Sequence, residues 1–230
     1  MQRFAEVDAF PNVFQHVQTS PDLEEHPLKG KWGIEHFGND HPIVVELGCG
    51  KGEYTTGLAN RFSRKNYIGI DIKGARIWRG AKTALENKQF NVAFIRARID
   101  QIEKLFSPEE VDEIWITFPD PQLQKPKERK RLTSPVFLKK YRTILKKDGL
   151  VHLKTDNHAF YTYTHEVIKE EGLNLIASSS DLYGDIRRSS TNIDKNSQLH
   201  APYLTEIKTF YENLFTEKGF KICYLNFKLY

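Results

Sequence analysis

Two carboxylates, Glu46 and Asp71, each lie at the end of an apolar run that has the character of a buried strand. The first run leads directly into a glycine-rich turn with the spacing G-x-G-x-G, and a helical pattern follows. Glycines let a backbone turn tightly and approach a ligand, while the first N–H groups of the next helix are left unpaired. The sequence therefore predicts a nucleotide-type ligand at this turn. Its glycines are Gly48, Gly50 and Gly52.

Two ligands compete for such a turn. A dinucleotide site has the spacing G-x-G-x-x-G and places a pyrophosphate at the helix end, where Glu46 would repel it. The sulfonium and amino groups of S-adenosylmethionine would instead be attracted by Glu46, and Asp71 would accept hydrogen bonds from both hydroxyls of an adenosine ribose. A purely structural turn with two incidental acids is the third alternative. The acids at two strand ends favour S-adenosylmethionine.

A third acid, Asp120, lies in the sequence Phe118-Pro119-Asp120-Pro121 after a predicted strand, and the two prolines restrict the backbone around it. The stretch 125–131 follows, and five of its seven residues are basic. A solvated charged loop would explain such a run, but its place beside the acid-bearing edge favours contacts with an RNA backbone. The next predicted helix and the residues after it extend this basic face with Lys139, Lys140, Arg142, Lys146 and Lys147.

Further candidate residues follow towards the C-terminus. Asp156 comes directly after a predicted strand, so it could cap the next helix or contact a substrate at the same edge. Thr209 and Glu212 have the spacing of a capping box, which by itself accounts for both residues. The eight histidines and two distant cysteines show no metal-ligand spacing, and the cysteines form no disulfide framework, so neither a metal nor a disulfide is expected.

Strands and helices alternate along most of the chain. Such alternation predicts an α/β fold with a doubly wound, mostly parallel sheet, in which ligands bind at the carboxyl ends of the strands. The C-terminal part is predicted to add a strand at 173–177, a long surface loop at 181–204, a helix at 205–218 ending at Gly219, and a final antiparallel strand at the sheet edge. The alternating strands are 43–47, 67–71, 92–96, 112–118 and 150–155, and the helices are 54–63, 74–87, 101–105, 134–146 and 157–171.

Length and charge set outer limits. The 230 residues are expected to form one domain at 41–230, preceded by an arm at 1–40 that lacks strong periodicity. The net charge of +4 is modest, so any preference for nucleic acid has to come from local clustering. No membrane-length apolar segment is present, so a cytoplasmic protein without membrane contact is the default expectation.

At these residues the chain resembles the bacterial tRNA (guanine-N7)-methyltransferases of the TrmB type. The resemblance runs from about residue 43 to the C-terminus, and its most specific piece is Phe-Pro-Asp-Pro at 118–121 with the basic run that ends in Lys130-Arg131-Leu132. Four other motifs fall in the family's order. They are Glu46-Leu47-Gly48-Cys49-Gly50, Tyr67-Ile68-Gly69-Ile70-Asp71, Lys154-Thr155-Asp156-Asn157 and Thr209-Phe210-Tyr211-Glu212.

The resemblance implies a class I, Rossmann-like methyltransferase that uses S-adenosylmethionine and acts on a guanosine in the variable loop of tRNA, at position forty-six. Asp120 would be the catalytic residue, close to the methyl group, and the protein would be a monomer or a homodimer. Contacts with the cofactor are implied for Glu46, Gly48, Gly50, Asp71 and Asp120. Contacts with the substrate are implied for Asp156, Thr209, Phe210, Tyr211 and Glu212, and contacts with RNA for Pro126, Lys127, Glu128, Arg129, Lys130 and Arg131.

The chain departs from the family pattern at two places. The family usually has an acid near the adenine after the third strand, where this chain has Arg98, and Asp100 could substitute only if the loop shifts. The family often has Trp-Pro-Lys after the Asp-Pro, where this chain has 122–124, Gln-Leu-Gln. Gln124 therefore replaces an expected substrate-binding lysine, and Lys125 could take over its contact.

Three other functions remain as alternatives. A methyltransferase for an exocyclic base amine would have an aromatic residue after Asp/Asn-Pro-Pro, where this chain has Gln122. A non-catalytic RNA-binding module that kept the fold is supported by Arg98 and Gln124. A dehydrogenase is disfavoured by the glycine spacing and by Glu46.

Overall fold

The computed structural model describes residues 2–17, 24–189 and 201–230, and within them eight strands form one sheet in the order β1-β4-β3-β2-β5-β6-β8-β7. All neighbouring strands are parallel except β8, which runs antiparallel to both β6 and β7. The strands are β1 (Val13–His16), β2 (Ile43–Leu47), β3 (Asn66–Asp71), β4 (Val92–Ala97), β5 (Val111–Thr117), β6 (Leu145–Thr155), β7 (Asn174–Ser179) and β8 (Cys223–Lys228).

Helices connect the strands and cover both faces of the sheet. The larger helices among the described residues are α1 (Gln2–Ala9), α2 (Glu53–Arg61), α3 (Gly74–Glu86), α5 (Pro135–Ile144), α6 (His158–Glu170), α7 (Leu182–Ser189) and α9 (Phe210–Glu217). One-turn helices are α4 (Ile102–Leu105) and α8 (Tyr203–Glu206), with 3₁₀ turns at Ile99–Gln101 and Lys125–Lys130 and a π-helical turn at Trp32–Phe37.

Two apolar cores lie on opposite faces of the sheet. Leu58 of α2 and Ile77 of α3 pack over one face, while Phe137 and Tyr141 of α5 pack over the other. Every residue of β2 is buried, because helices cover both of its faces. The predicted doubly wound α/β fold is therefore confirmed, and all five predicted strand–helix pairs are present.

The first 40 residues, expected to form an arm, contribute to the sheet and its core. Strand β1 pairs with β4 at one edge of the sheet. The indole of Trp32 is fully buried and donates a hydrogen bond to the carbonyl of Leu105 at 2.9 Å. Four residues without alternation give too short a pattern for sequence analysis to find this strand.

The C-terminal part differs from prediction in three respects. The helix predicted for 205–218 is divided, since α8 ends at Glu206 and α9 begins only at Phe210. The loop prediction for 181–204 is wrong at its ends, where α7 and α8 form, and residues 190–200 lie outside the described ranges. Helix α7 has only eight residues and is polar on average, with Leu182 as its fully buried anchor, so its amphipathic pattern is too short to stand out in a polar stretch. The final strand is antiparallel as predicted, but it lies between β6 and β7, and β7 forms the edge. Among the described helices, none has the length and apolar character needed to cross a membrane.

Candidate active site

The carboxyl ends of four neighbouring strands open into a cavity of about 730 Å³. Gly48 follows β2, Asp71 ends β3, Arg98 follows β4, and Asp120 lies beyond β5, and all four line this cavity. A smaller cavity of about 120 Å³ adjoins it and shares Gly48 and other residues with it. The smaller cavity is also lined by Gly50, Thr209, Phe210 and Tyr211. Residues that the sequence predicted for one site are thus brought together from distant parts of the chain.

The glycine turn has the left-handed backbone that its sequence predicts. Gly48, Gly50 and Gly52 have φ angles of +72°, +56° and +71°. A Cβ on Gly52 would lie 2.6 Å from the ring of Phe94, so the turn packs too closely against the core for a side chain there. A Cβ on Gly48 would meet no atom within 4 Å. The backbone of Gly48 is therefore open to a ligand in the cavity.

Asp71 joins the glycine turn to the start of α3. One carboxylate oxygen accepts a hydrogen bond from the N–H of Gly50 at 3.0 Å, and the other accepts from the N–H of Lys73 at 2.8 Å. The side chain is buried apart from the surface that it presents to the larger cavity. Each oxygen keeps a free lone pair, so the carboxylate can also accept from the hydroxyls of a ligand.

Glu46 lies beneath the turn and lines neither cavity. Its carboxylate accepts hydrogen bonds from the N–H and hydroxyl of Thr55, and from the hydroxyl of Thr117 at 2.6 Å. Burial raises the pKa of Glu46 to about 7, and these hydrogen bonds only partly oppose it. Its predicted contact with a cofactor stays a prediction, because the structure shows contacts with the protein instead.

Asp120 is exposed and held by its own loop. Its carboxylate accepts a hydrogen bond from the N–H of Gln122 at 3.0 Å, and the N–H of Phe118 donates to the carbonyl of Lys154 at 2.8 Å. Phe118 and Gln122 have φ angles of +48° and +44°, in the left-handed region that residues other than glycine seldom adopt. Such strained positions cluster at ligand-binding sites, where the surrounding structure maintains them.

Arg98 and Asp100 form a bidentate ion pair at the far wall of the larger cavity. The Nε–Oδ1 distance is 3.0 Å and the Nη2–Oδ2 distance is 2.7 Å. Both residues line the cavity. Asp100 was expected to substitute for the family's acid only after a shift of the loop, and in this structure it lines the larger cavity. Its contact with an adenine stays a prediction. An acid is therefore available at this wall, although Arg98 occupies the position where the family usually has one.

The basic segment Lys125–Lys130 is an exposed 3₁₀ turn, and only its end borders the site. Arg129 and Lys130 line the larger cavity, whereas Arg131 stacks 4.1 Å from the ring centroid of Tyr163. Gln124 is exposed and begins the turn, with its carbonyl accepting from the N–H of Lys127 at 2.8 Å. The other exposed members, which line neither cavity, are Lys125, Pro126, Lys127 and Glu128.

The wider basic face predicted for helix 134–146 is largely wrong. Helix α5 runs away from the site, so Lys146 and Lys147 lie at the start of β6, at the opposite edge of the sheet. Arg142 donates to the carbonyl of Leu229 at 3.2 Å. Lys140 does line the larger cavity and pairs with Glu103 at 2.7 Å.

The two capping predictions have different outcomes. Asn157, and not Asp156, caps α6, since its side-chain oxygen accepts from the N–H of Phe160 at 2.9 Å. Asp156 is half-buried at the strand end, and burial raises its pKa, so its substrate contact remains as the functional prediction. Thr209 caps α9 as predicted and accepts from the N–H of Glu212 at 3.1 Å.

Glu212 does not complete a capping box with its side chain. Its carboxylate is fully buried, lies 2.7 Å from the ammonium of Lys154 and accepts from the hydroxyl of Tyr183 at 2.8 Å. Sequence analysis did not predict Lys154 as the buried partner of Glu212. The available signal was a lysine inside the apolar strand β6, because a buried cation requires an acidic partner.

The strand order, the glycine turn and the cavity at the carboxyl ends of the strands define a class I S-adenosylmethionine-dependent methyltransferase fold. A family model described as "Putative methyltransferase" matches residues 40–224. A solved structure described as an antibiotic-related methyltransferase superposes with a TM-score of 0.59, covering 84% of this chain and 90% of that chain at 17% identity. At that identity, the likeness shows the fold alone.

Curated relatives narrow the class to one family. A tRNA (guanine-N(7)-)-methyltransferase of Christiangramia forsetii is 47% identical over 229 residues, which cover 100% of this chain and 97% of the relative. One of Bacteroides thetaiotaomicron is 44% identical over 229 residues, covering 100% of this chain and 85% of the relative. The chain belongs to the tRNA (guanine-N7)-methyltransferase family, as its sequence motifs predicted.

Proposed function

We propose that the protein transfers a methyl group from S-adenosylmethionine to N7 of a guanosine in the variable loop of tRNA, at position forty-six. The observation that carries this proposal is the convergence of Asp71, Asp120 and the basic residues Arg129 and Lys130 on one cavity. A purely structural role for these residues would not require them to meet. The names of the full-length relatives support the tRNA substrate and the N7 position.

The residues present fit the cofactor. The larger cavity, at about 730 Å³, is within the range of small-molecule sites. Its lining has three acids, which suit the hydroxyl and cationic groups of the cofactor, and five basic residues, which suit the RNA substrate. Asp71 would accept hydrogen bonds from the ribose hydroxyls, and the open backbone at Gly48 and Gly50 would lie against the amino acid part. When bound, S-adenosylmethionine supplies a methyl group on a positively charged sulfur.

The reaction requires no proton transfer by the protein before the methyl group is transferred. Guanine N7 has a free lone pair at neutral pH, so no general base is required before attack. Positive charge appears on the guanine ring as the methyl group arrives, and a carboxylate fixed nearby stabilises it. Asp120 is placed for this role, because its exposed carboxylate is oriented by the N–H of Gln122 and faces the cavity. Alignment of the two reactants supplies much of the remaining acceleration.

The substrate contacts are assigned to the smaller cavity and to the basic segment. Thr209, Phe210 and Tyr211 line the smaller cavity beside Phe118, so a base inserted there would lie next to the larger one. Asp156, at the end of β6, is proposed to accept from donor groups of the guanine. Residues 125–131 are proposed to contact RNA phosphates, with Lys125 in place of the family's lysine at Gln124.

A methylation assay with an unmodified tRNA transcript tests the proposal. Mass spectrometry of the digested product should show 7-methylguanosine in the variable loop, and a transcript with adenosine at that position should take no methyl group. A methyl group on an exocyclic amine would support the rival methyltransferase. Absence of both methylation and S-adenosylmethionine binding in calorimetry would favour the non-catalytic module.

A further inference from the structure

A third surface feature lies beyond the smaller cavity, and the proposed mechanism does not use it. It is a groove of about 360 Å³ between the start of α7 and the turn after α9. Its exposed cations are Arg187, Lys208 and Lys221, and its acid is Asp181. The ring of Phe220 forms part of its wall. The groove therefore combines an excess of positive charge with an aromatic surface.

Phe220 is presented by the end of α9. Gly219 has a φ angle of +79°, and the N–H of Phe220 donates to the carbonyl of Phe215 at 2.9 Å, which is the hydrogen bond of a Schellman motif. A contact between the rings of Phe215 and Phe220 is usual at such a helix end. That contact nevertheless leaves 52% of Phe220 exposed. An exposed ring of this size, fixed by backbone hydrogen bonds, suits a stacking partner.

A line of aromatic contacts joins the groove to the active site. The ring of Phe215 lies 6.2 Å from that of Phe118 and 6.2 Å from that of Tyr211, both of which line the smaller cavity. It lies 5.9 Å from the ring of Phe220 on the other side. Two ring contacts therefore separate the proposed guanosine site from the groove.

Two cations of the groove, Lys208 and Lys221, are available to an anion. Lys221 is 72% exposed on its side chain and lies 3.5 Å from Asp181, whose other oxygen accepts from the N–H of Gly184. The ammonium of Lys208 lies 5.1 Å from the ring of Tyr183 and forms no ion pair with any described residue. Lysines in these settings can bind phosphate without giving up a strong partner.

Resting on the proposed function, we propose that this groove binds the nucleotides next to the target guanosine in the tRNA chain. One base would stack on Phe220, and backbone phosphates would lie near Lys208 and Lys221. Single-stranded RNA loops are recognised in this way, by bases stacked on aromatic side chains and phosphates held by basic ones. The groove would thus be a second RNA-binding surface, at the C-terminal end of α9. The first is the segment 125–131, which borders the larger cavity.

Substitution of the groove residues tests this inference in the full-length protein, with tRNA affinity measured over a range of salt concentrations. Phe220→Ala should weaken tRNA binding about 5- to 150-fold, the usual effect of losing one stacked base. Lys208→Ala with Lys221→Ala should reduce the slope of log K against log salt by about 1.4, for two phosphates of a single strand. Phe220→Leu keeps an apolar contact with Phe215 but should lose most of the affinity as well.

Matched controls come from the opposite side of the molecule, at the amino ends of the parallel strands. Phe90, which is 86% exposed, and Lys169, exposed at the end of α6, should tolerate substitution by alanine without change in tRNA affinity. All groove variants should keep the wild-type affinity for S-adenosylmethionine, which shows that they remain folded.

The possible outcomes separate this inference from the proposed function. If the wild type methylates tRNA while the groove variants keep its affinity and salt slope, the groove assignment is wrong and the function stands. If the wild type neither binds nor methylates tRNA, both fail. If the groove variants lose as much affinity for polyglutamate as for tRNA, the groove is a general anion-binding surface and the RNA assignment is wrong.

Discussion

The ammonium of Lys154 and the carboxylate of Glu212 lie 2.7 Å apart, and neither side chain has any exposed surface. Lys154 also donates to the carbonyl of Leu204 at 2.8 Å, and Tyr183 donates to the same carboxylate oxygen of Glu212 at 2.8 Å. The pair therefore connects β6 to α7, α8 and α9. Because Thr209 caps α9, the pair fixes the segment that lines the smaller cavity.

Breaking this pair should destabilise the protein strongly. Lys154→Met leaves an unpaired buried carboxylate, and Glu212→Leu leaves an unpaired buried ammonium, so each should lower the free energy of unfolding by about 3–5 kcal/mol. The double variant should lose much less than the sum of the two, because neither charge is then left alone. Urea unfolding of the four proteins measures this coupling. Additive losses would show that the pair is not coupled.

The exposed pair Arg61–Glu206 is the control for this double-mutant cycle of Lys154 and Glu212. Its side chains are 41% and 55% exposed, so water screens the interaction. Arg61→Met and Glu206→Gln should each change stability little, and their effects should add.

Local pattern and spacing were sufficient to predict most of the sheet and the cavity edge. Strands such as β2 are buried on both faces, so they appear in the sequence as continuous apolar runs. The acids Glu46 and Asp71 could be placed at the carboxyl edge because each comes at or near the end of such a run. The Lys154–Glu212 pair could not be predicted in the same way, because its partners are 58 residues apart and are brought together only by β8 and α9. Strand β1 has four residues and helix α7 has eight, so each gives too short a pattern to be predicted from sequence.

Replacing Asp120 by asparagine tests the catalytic role. The asparagine oxygen can still accept from the N–H of Gln122, so the loop should keep its shape while the charge is lost. If the carboxylate stabilises charge on the methylated guanine, the rate constant of methyl transfer should fall by roughly 10²-fold or more. Single-turnover methylation of tRNA measures this. Asp148→Asn, at an exposed position on the opposite edge, is the control, and wild-type turnover by the Asp120 variant would refute the assignment.

Charge reversal at Arg129 and Lys130 tests the basic segment. Both residues are exposed and line the larger cavity, so they can approach a tRNA whose guanosine enters the adjoining smaller cavity. Arg129→Glu with Lys130→Glu should weaken tRNA binding and reduce the salt slope by roughly 1.4 to 1.8, depending on whether the phosphates belong to a single strand or a duplex. Lys147→Glu with Lys169→Glu should leave the slope unchanged. A wild-type slope in the first variant would exclude these side chains as phosphate contacts.

The Arg98–Asp100 pair offers a test of where the adenine of the cofactor binds in the larger cavity. If Asp100 accepts from the adenine amino group, Asp100→Asn should weaken S-adenosylhomocysteine binding by about tenfold or more, since a charged acceptor is lost. The inosine analogue, which lacks that amino group, should bind the variant and the wild type alike. Calorimetry with both ligands measures the difference, and an equal loss for the two would place Asp100 away from the amino group.

The raised pKa of Glu46 predicts that the affinity for the cofactor depends on pH. Burial raises its pKa to about 7 from an ordinary value of 4.5, so folding of the free chain takes up a proton between these pH values. This group therefore lowers stability as pH rises from 4.5 to 7. A cationic ligand near the glycine turn would favour the carboxylate and lower that pKa, so binding would release a proton.

Affinity for S-adenosylmethionine should accordingly fall as pH drops below about 7, whereas S-adenosylhomocysteine, whose sulfur is neutral, should show a weaker dependence. Calorimetry in buffers of different ionisation enthalpy counts the released protons. Glu46→Gln keeps an oxygen that can accept from the N–H and hydroxyl of Thr55, and its NH2 group can donate to the hydroxyl of Thr117. The amide cannot titrate, so the proton release should disappear in this variant. If the variant and the wild type release the same number of protons, the released proton comes from another group. The pKa of Glu46 would then not depend on the charge of the ligand.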